Sequence, residues 1–147
     1  MVARSDDRTG WNGAGVGSVV VDSPSVAALT FTETGTWRPV AGAETRFHNV
    51  LRWRRVESGR IRLEHLRFGE SRPVFLFDLA LDATGSWRSV EPHVCGEDRY
   101  SADARVWEWG LHLRWEIAGP RKQAWIDYEY RASRLASSRA ARLESRS

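Results

Sequence analysis

Apolar and polar residues alternate along most of this chain with a period of two, the pattern of strands with one buried and one wetted face. Phe47-His48-Asn49-Val50-Leu51-Arg52-Trp53-Arg54 shows it, and so does Leu111-His112-Leu113-Arg114-Trp115-Glu116-Ile117. Helical periodicity is scarce before residue 131. The alternation predicts strands near 16–22, 26–34, 45–56, 60–68, 73–81, 86–91, 99–109, 111–118 and 123–131. Short connectors rich in Gly, Asp, Ser and Pro separate them, and no helix is long enough for a parallel crossover. An antiparallel meander follows.

Turn chemistry sets the register, and register decides which side chains share a face. Glu57-Ser58-Gly59 reads as a three-residue hairpin loop with glycine in the left-handed conformation. It pairs Trp53 with Leu63 and Leu51 with His65, so Phe47, Asn49, Leu51 and Trp53 face the same side as Ile61, Leu63 and His65. Ala83-Thr84-Gly85 has the same form and pairs Leu81 with Trp87. Trp109-Gly110 reads as a two-residue loop, which sets Val106 opposite Leu113, Ala104 opposite Trp115, Ala102 opposite Ile117 and Tyr100 opposite Gly119. Arg46, His48, Arg52, Arg54, His112, Arg114 and Glu116 then form solvent faces.

A long meander with one apolar and one charged face closes most naturally into a barrel, which removes its edges. The expected fold is all-β: an up-and-down antiparallel barrel of eight to ten strands over residues 1–131. Small inward residues (Ala102, Ala104, Ala124) beside large rings predict an interior pocket. Residues 132–147 hold only Leu135 and Leu143 as large apolar side chains, so they are read as a frayed helical or disordered tail.

Composition sharpens this reading. Eight tryptophans need a sheet interior or a ligand cavity to sit in. One cysteine, Cys95, excludes an internal disulfide and suits a reducing cytoplasm. No signal-peptide core or membrane-length apolar run is present, so a cytoplasmic protein without a membrane partner is expected. The pI of about 9.6 suggests nucleic acid at first sight, but residues 131–147 carry net +4 and the remainder net −1. A nucleic-acid domain would spread a basic stripe over its folded face, so no nucleic-acid partner is expected.

Lysine is nearly absent: Lys122 stands against twenty-one arginines, as a GC-rich coding bias would produce. A lysine kept under that pressure suits a task a guanidinium cannot do, as a compact charge or a titrating amine. Strand parity brings loops 69–73, 92–98 and 119–122 to one end, with His93, Cys95, Asp98, Arg121 and Lys122, and with Asn49, His65 and Tyr100 on inward faces nearby. The tight loops 57–59, 82–85 and 109–110 share the other end. The first end is the expected functional one. Ligand-binding candidates are Lys122, Arg121, Tyr100, His93, Asp98, Asn49 and His65, with Trp53 and Trp115 from the aromatic interior. Each has a structural alternative: His65 and Asn49 as satisfied buried groups, Asp98 paired with Arg99 or Arg121, Lys122 pinning its turn to Asp98. His93 and Cys95 make a weak nucleophile pair, and Cys95 reads better as a buried structural thiol. The four histidines lack metal-ligand spacing, so no metal is expected. Gly13, Gly15 and Gly17 form no nucleotide loop, because no helix follows.

From about Asp7 to Arg131 the chain resembles the domain-of-unknown-function 6314 family of actinobacteria and fungi. The likeness rests on Arg46-Phe47-His48-Asn49-Val50-Leu51-Arg52-Trp53, Arg72-Pro73-Val74-Phe75-Leu76-Phe77-Asp78-Leu79, Pro92-His93-Val94-Cys95-Gly96-Glu97-Asp98-Arg99-Tyr100 and Gly119-Pro120-Arg121-Lys122, with Trp115 between the last two. The resemblance implies a lipocalin-like, calycin-type barrel and brings no activity with it. Members usually carry an upstream strand with Gly-x-Trp, and this chain reads as starting just after it, at Asp7-Arg8-Thr9-Gly10. They also tend to have Asp-Tyr where this chain has Gln123-Ala124.

The leading functional expectation is a barrel binding a small, partly apolar ligand, with Lys122 and Arg121 on an acidic or carbonyl group. A second is a cyclase or isomerase of a reactive metabolite, with His93 or His65 moving the proton and Lys122 stabilising an enolate-like oxygen. A third is an adaptor, monomeric or homodimeric, pairing through the edge left by the missing strand. No cofactor is expected; haem would lack a histidine from the final strand, since none follows His112.

Overall fold

The structure, a computed structural model, describes residues 1–5, 12–120 and 122–132. Eleven strands follow one another: β1 (Val2–Ser5), β2 (Gly13–Ser25), β3 (Ala28–Pro39), β4 (Thr45–Val56), β5 (Arg60–His65), β6 (Val74–Leu81), β7 (Trp87–Ser89), β8 (His93–Cys95), β9 (Asp98–Trp107), β10 (Gly110–Gly119) and β11 (Lys122–Arg131). All pairings are antiparallel. They run in ring order β1-β2-β3-β4-β5-β6-β7-β9-β10-β11 and return to β1, with β8 on the margin of β9. The barrel expected from the alternation is present. The expectation for the C-terminal tail falls on 133–147, outside the described residues, as do Asp7–Gly10 and Arg121.

Two hairpins have the registers their turns predict. Gly59 and Gly85 have φ of 69° and 80°, and Trp53 faces Leu63, Leu51 faces His65, and Leu81 faces Trp87. The β9–β10 hairpin differs by two residues. Gly110 pairs with Trp107, so Leu113 faces Ala104, Trp115 faces Ala102 and Ile117 faces Tyr100. The turn residues are Glu108 and Trp109. Gly110 is a close-approach position: a Cβ there would stand 2.7 Å from the Trp107 ring. A shift of two preserves every face, so the inward set is unchanged.

Loop 92–98 also differs, since it contains β8. Strands β7 and β8 line the same edge of β9, at Asp103–Ala104 and at Asp98–Tyr100. They behave as one strand interrupted just before β8, where Pro92 has no N–H to give a ladder. The missing first strand needs correction too. β1 lies between β11 and β2, pairing Val2–Ser5 with Ala124–Asp127 and Val2–Ala3 with Gly13–Ala14. Gly15 adds one more bond, its N–H donating to the Met1 carbonyl at 2.7 Å. Beyond that point neither β2 nor the β11 segment from Tyr128 has a strand on this side among the described residues. The ring is therefore joined over part of its height and slotted over the rest.

The interior is filled on one side. Leu51, Trp53, Leu63, Phe77, Leu79, Ala102, Ala104 and Leu113 form the buried core. The space expected beside Ala102 and Ala104 is thus occupied, because Phe77 and Trp115 pack edge-to-face at 5.4 Å over them. On the opposite side β2 presents Gly13, Gly15, Gly17, Val19 and Val21 inward, and small side chains leave volume unfilled.

Outside, the arginines pair with carboxylates on neighbouring strands. Arg62 grips Asp78 with two bonds of 2.7 and 2.8 Å, Arg114 grips Asp127 at 2.8 and 3.1 Å, and Arg52 reaches Glu64 at 2.7 Å. In each pair the residues are also register partners, so planar forks meet carboxylates directly across the ladder. These pairs hold Asp78 and Asp127 below the usual carboxylate range, chiefly through the hydrogen bonds from Arg62 and Arg114.

Candidate functional site

Strand β3 carries threonines at 30, 32, 34 and 36, whose branched side chains favour a pleated strand and face outward. The alternate positions, Leu29, Phe31, Glu33, Gly35 and Trp37, belong to the inner face. A carboxylate therefore sits in an apolar series. Glu33 is only 4% exposed, with Val19 and Asn49 as its register neighbours.

Two neutral donors hold it. The Asn49 amide donates to Oε2 at 3.2 Å, and the Tyr130 hydroxyl, reaching across from β11, donates to Oε1. No lysine or arginine among the described residues forms an ion pair with Glu33. Rings surround this cluster. Tyr130 stacks on Tyr128 with centroids 6.0 Å apart and planes at 5°, and Phe31 meets Tyr130 edge-on at 5.4 Å. Phe31 also touches Trp53 at 5.8 Å, and Tyr128 touches Trp115 at 5.9 Å. The result is a continuous belt, Trp53–Phe31–Tyr130–Tyr128–Trp115. The indole N–H groups of Trp53 and Trp115 are buried and find no acceptor among the described residues.

This environment shifts the nearby acids and bases. Burial raises the phenols of Tyr128 and Tyr130, and the Glu33 charge adds to it; donation to Glu33 raises Tyr130 further. His65 moves down, mainly by burial and then by Arg67, with Glu33 partly offsetting both.

A cavity of about 830 Å³ lies in the thinly filled half, lined from β2 by Gly17 and Val19, from β3 by Phe31 and Glu33, and from β11 by Tyr128 and Tyr130. It reaches the β9–β10 turn at Trp109, so its mouth follows the slot between β2 and β11. That is the end with loops 57–59, 82–85 and 109–110, opposite to the one expected. The tight turns there are bland, but the gap lies between strands rather than in a loop.

None of the eight sequence candidates among the described residues lines this cavity. Four of them stand close behind it: Asn49 bonded to Glu33, His65 within reach of its charge, and Trp53 and Trp115 in the ring belt. Lys122, Asp98, His93 and Tyr100 lie at the far end. Lys122 Nζ is 2.6 Å from Asp98 Oδ2, and Gly119 leaves room for that carboxylate. Of the structural alternatives for these residues, the structure has the one in which Lys122 pins its turn to Asp98. His93 packs on Phe75 at 6.1 Å and on Tyr100 at 6.2 Å. Cys95 is exposed, not buried, on the marginal strand β8. Among the described residues no three His, Cys, Asp or Glu side chains gather to hold a metal ion. None of their helices is long and apolar enough to cross a membrane.

Reading the sequence for loops and histidines overlooked Glu33, Tyr128 and Tyr130. The signal was available, since Glu33 interrupts the series Leu29, Phe31, Gly35, Trp37, which carries no other charge.

The fold and cavity define a slotted antiparallel barrel with a polar cluster inside. Residues 3–132 match the model of a family of unknown function, DUF6314, and the chain belongs to that family. No curated protein matches it, and no solved structure does.

Proposed function

We propose that this protein binds a small, partly apolar molecule inside its barrel, in the manner of calycin-type carriers. The observation that carries the reading is the cavity of about 830 Å³ ending on Glu33, a volume typical of ligand sites. Apolar walls (Phe31, Val19, the face of Tyr128) would take the body of the ligand, and Glu33 with Tyr130 would orient its polar end. Lys122 is turned to Asp98 and lies outside the lining, so the polar recognition is assigned to Glu33 rather than to an acid-binding lysine.

The test is titration of the full chain with a neutral probe, phenylpropanol, followed by tryptophan fluorescence. Saturable quenching is expected. Val19→Trp, which fills the cavity from its wall, abolishes that binding while the strand-type circular dichroism persists. Unaltered binding by Val19→Trp overturns the reading.

A second reading has its own observation. From Val16 to Ser25 the outer edge of β2 has no strand partner among the described residues, and Val16 and Val20 are exposed. A chain adding a strand there would close the slot and shut the cavity. A dimer that dissociates as the probe binds would favour this adaptor role.

A further inference from the structure

We propose that the ligand is an organic cation, a protonated amine whose ammonium group is recognised by Glu33 inside the ring belt. The proposal rests on the binding reading above and specifies its substrate class.

The first observation is a mismatch of partners. This chain has twenty-one arginines, and its outward carboxylates, the buried Glu64 and the partly buried Asp78 and Asp127, are each gripped by one. Glu33 is among the most buried of its carboxylates, yet its two hydrogen-bond partners are neutral. Withdrawing a carboxylate from water is costly unless a countercharge or several donors compensate. A carboxylate offers about four acceptor positions, and Asn49 and Tyr130 use two. The remaining positions belong to a group that lines the cavity.

The second observation is the set of rings beside it. Phe31, Tyr128 and Tyr130 border both Glu33 and the cavity. Aromatic faces attract cations, and most strongly where water is excluded. A hydroxyl and an ammonium group can both donate to this carboxylate, but only the ammonium brings the countercharge that a carboxylate withdrawn from water lacks, so it wins over a hydroxyl at this position. An anionic head meets a buried like charge and is rejected.

The test uses three probes of one shape at neutral pH: phenylpropylamine, phenylpropanol and phenylpropanoate, titrated calorimetrically into the full chain. The amine is expected to bind at least about tenfold tighter than the alcohol, equivalent to about 1.4 kcal/mol, and the acid not to bind. Glu33→Gln keeps the shape and removes the charge; it should bring the amine to the level that the alcohol shows on the same variant. Equal binding of amine and alcohol, or a preference that survives Glu33→Gln, overturns this inference and leaves the binding reading standing. Binding of none of the three overturns both. The comparison among probes on the unmutated chain decides the matter even where Glu33→Gln fails to fold.

Discussion

The hydroxyl of Tyr130 on the last strand donates to the carboxylate of Glu33, ninety-seven residues earlier on the third. That bond spans the side of the barrel where no strand joins β2 to β11. It ties β11, one margin of the slot, to β3, the strand behind the other margin, so it bears on both stability and the site.

Tyr130→Phe keeps the ring packed on Phe31 and removes only the hydroxyl. A hydrogen bond to a charged group contributes about 1.5–3 kcal/mol. Urea unfolding of the variant should show a loss of that order with an unchanged denaturant slope. An unaltered midpoint would mean that the slot margins are held by something else.

The two raised phenols set an alkaline limit. Their folded pKa values lie above the ordinary 10.0, so the folded state keeps protons that the unfolded state releases. Their contribution is fully present below pH 10 and declines as pH rises beyond it. Ultraviolet titration should therefore show these two of the three tyrosines ionising only as the circular dichroism collapses. Smooth ionisation of all three near pH 10 in a folded barrel would contradict their burial.

Acid acts through the outer pairs with the opposite sign. Asp78 lies below its ordinary 3.8 because Arg62 holds it. Its stabilisation is present above that value and is lost as pH falls through the folded pKa. Asp78→Asn should cost about 1 kcal/mol at most near neutrality, since the pair is partly exposed. The deficit should vanish in strong acid. A deficit that persists there would point to packing.

Gly17 is a close-approach position on β2. A Cβ there would run into the Thr34 carbonyl oxygen and stand 2.9 Å from the Gly35 Cα, both backbone. At Gly15 the nearest atom is the flexible tip of Met1, also at 2.9 Å. Gly17→Ala should therefore lower stability by about 1–3 kcal/mol, and Gly15→Ala by clearly less. Differential scanning fluorimetry of the two separates them.

Lys122→Met tests the far end. The ion pair with Asp98 is about one-third exposed on the lysine side. Its loss should cost about 1 kcal/mol or less and leave phenylpropylamine binding unchanged. A drop in affinity beyond about tenfold would return the site to the end that holds His93 and Tyr100.

Alternation alone determined the strands other than β1 and β8, their inner faces and the barrel they imply, because burial on one side of a sheet writes itself at every second residue. Gly59 and Gly85 also determined two registers, since a left-handed turn residue constrains only its immediate neighbours. Gly110 misled for a physical reason: it is needed for close packing on Trp107, not for turning the chain. What only the tertiary structure decided was the closure. β1 meets β11 across the whole chain and covers only the first residues of β2, and a slot left by unequal strand lengths has no local sequence mark. The same closure brings Tyr130 to Glu33. Each residue was legible as inward-facing, but their meeting depends on the curvature of the entire sheet, which no local pattern of the sequence encodes.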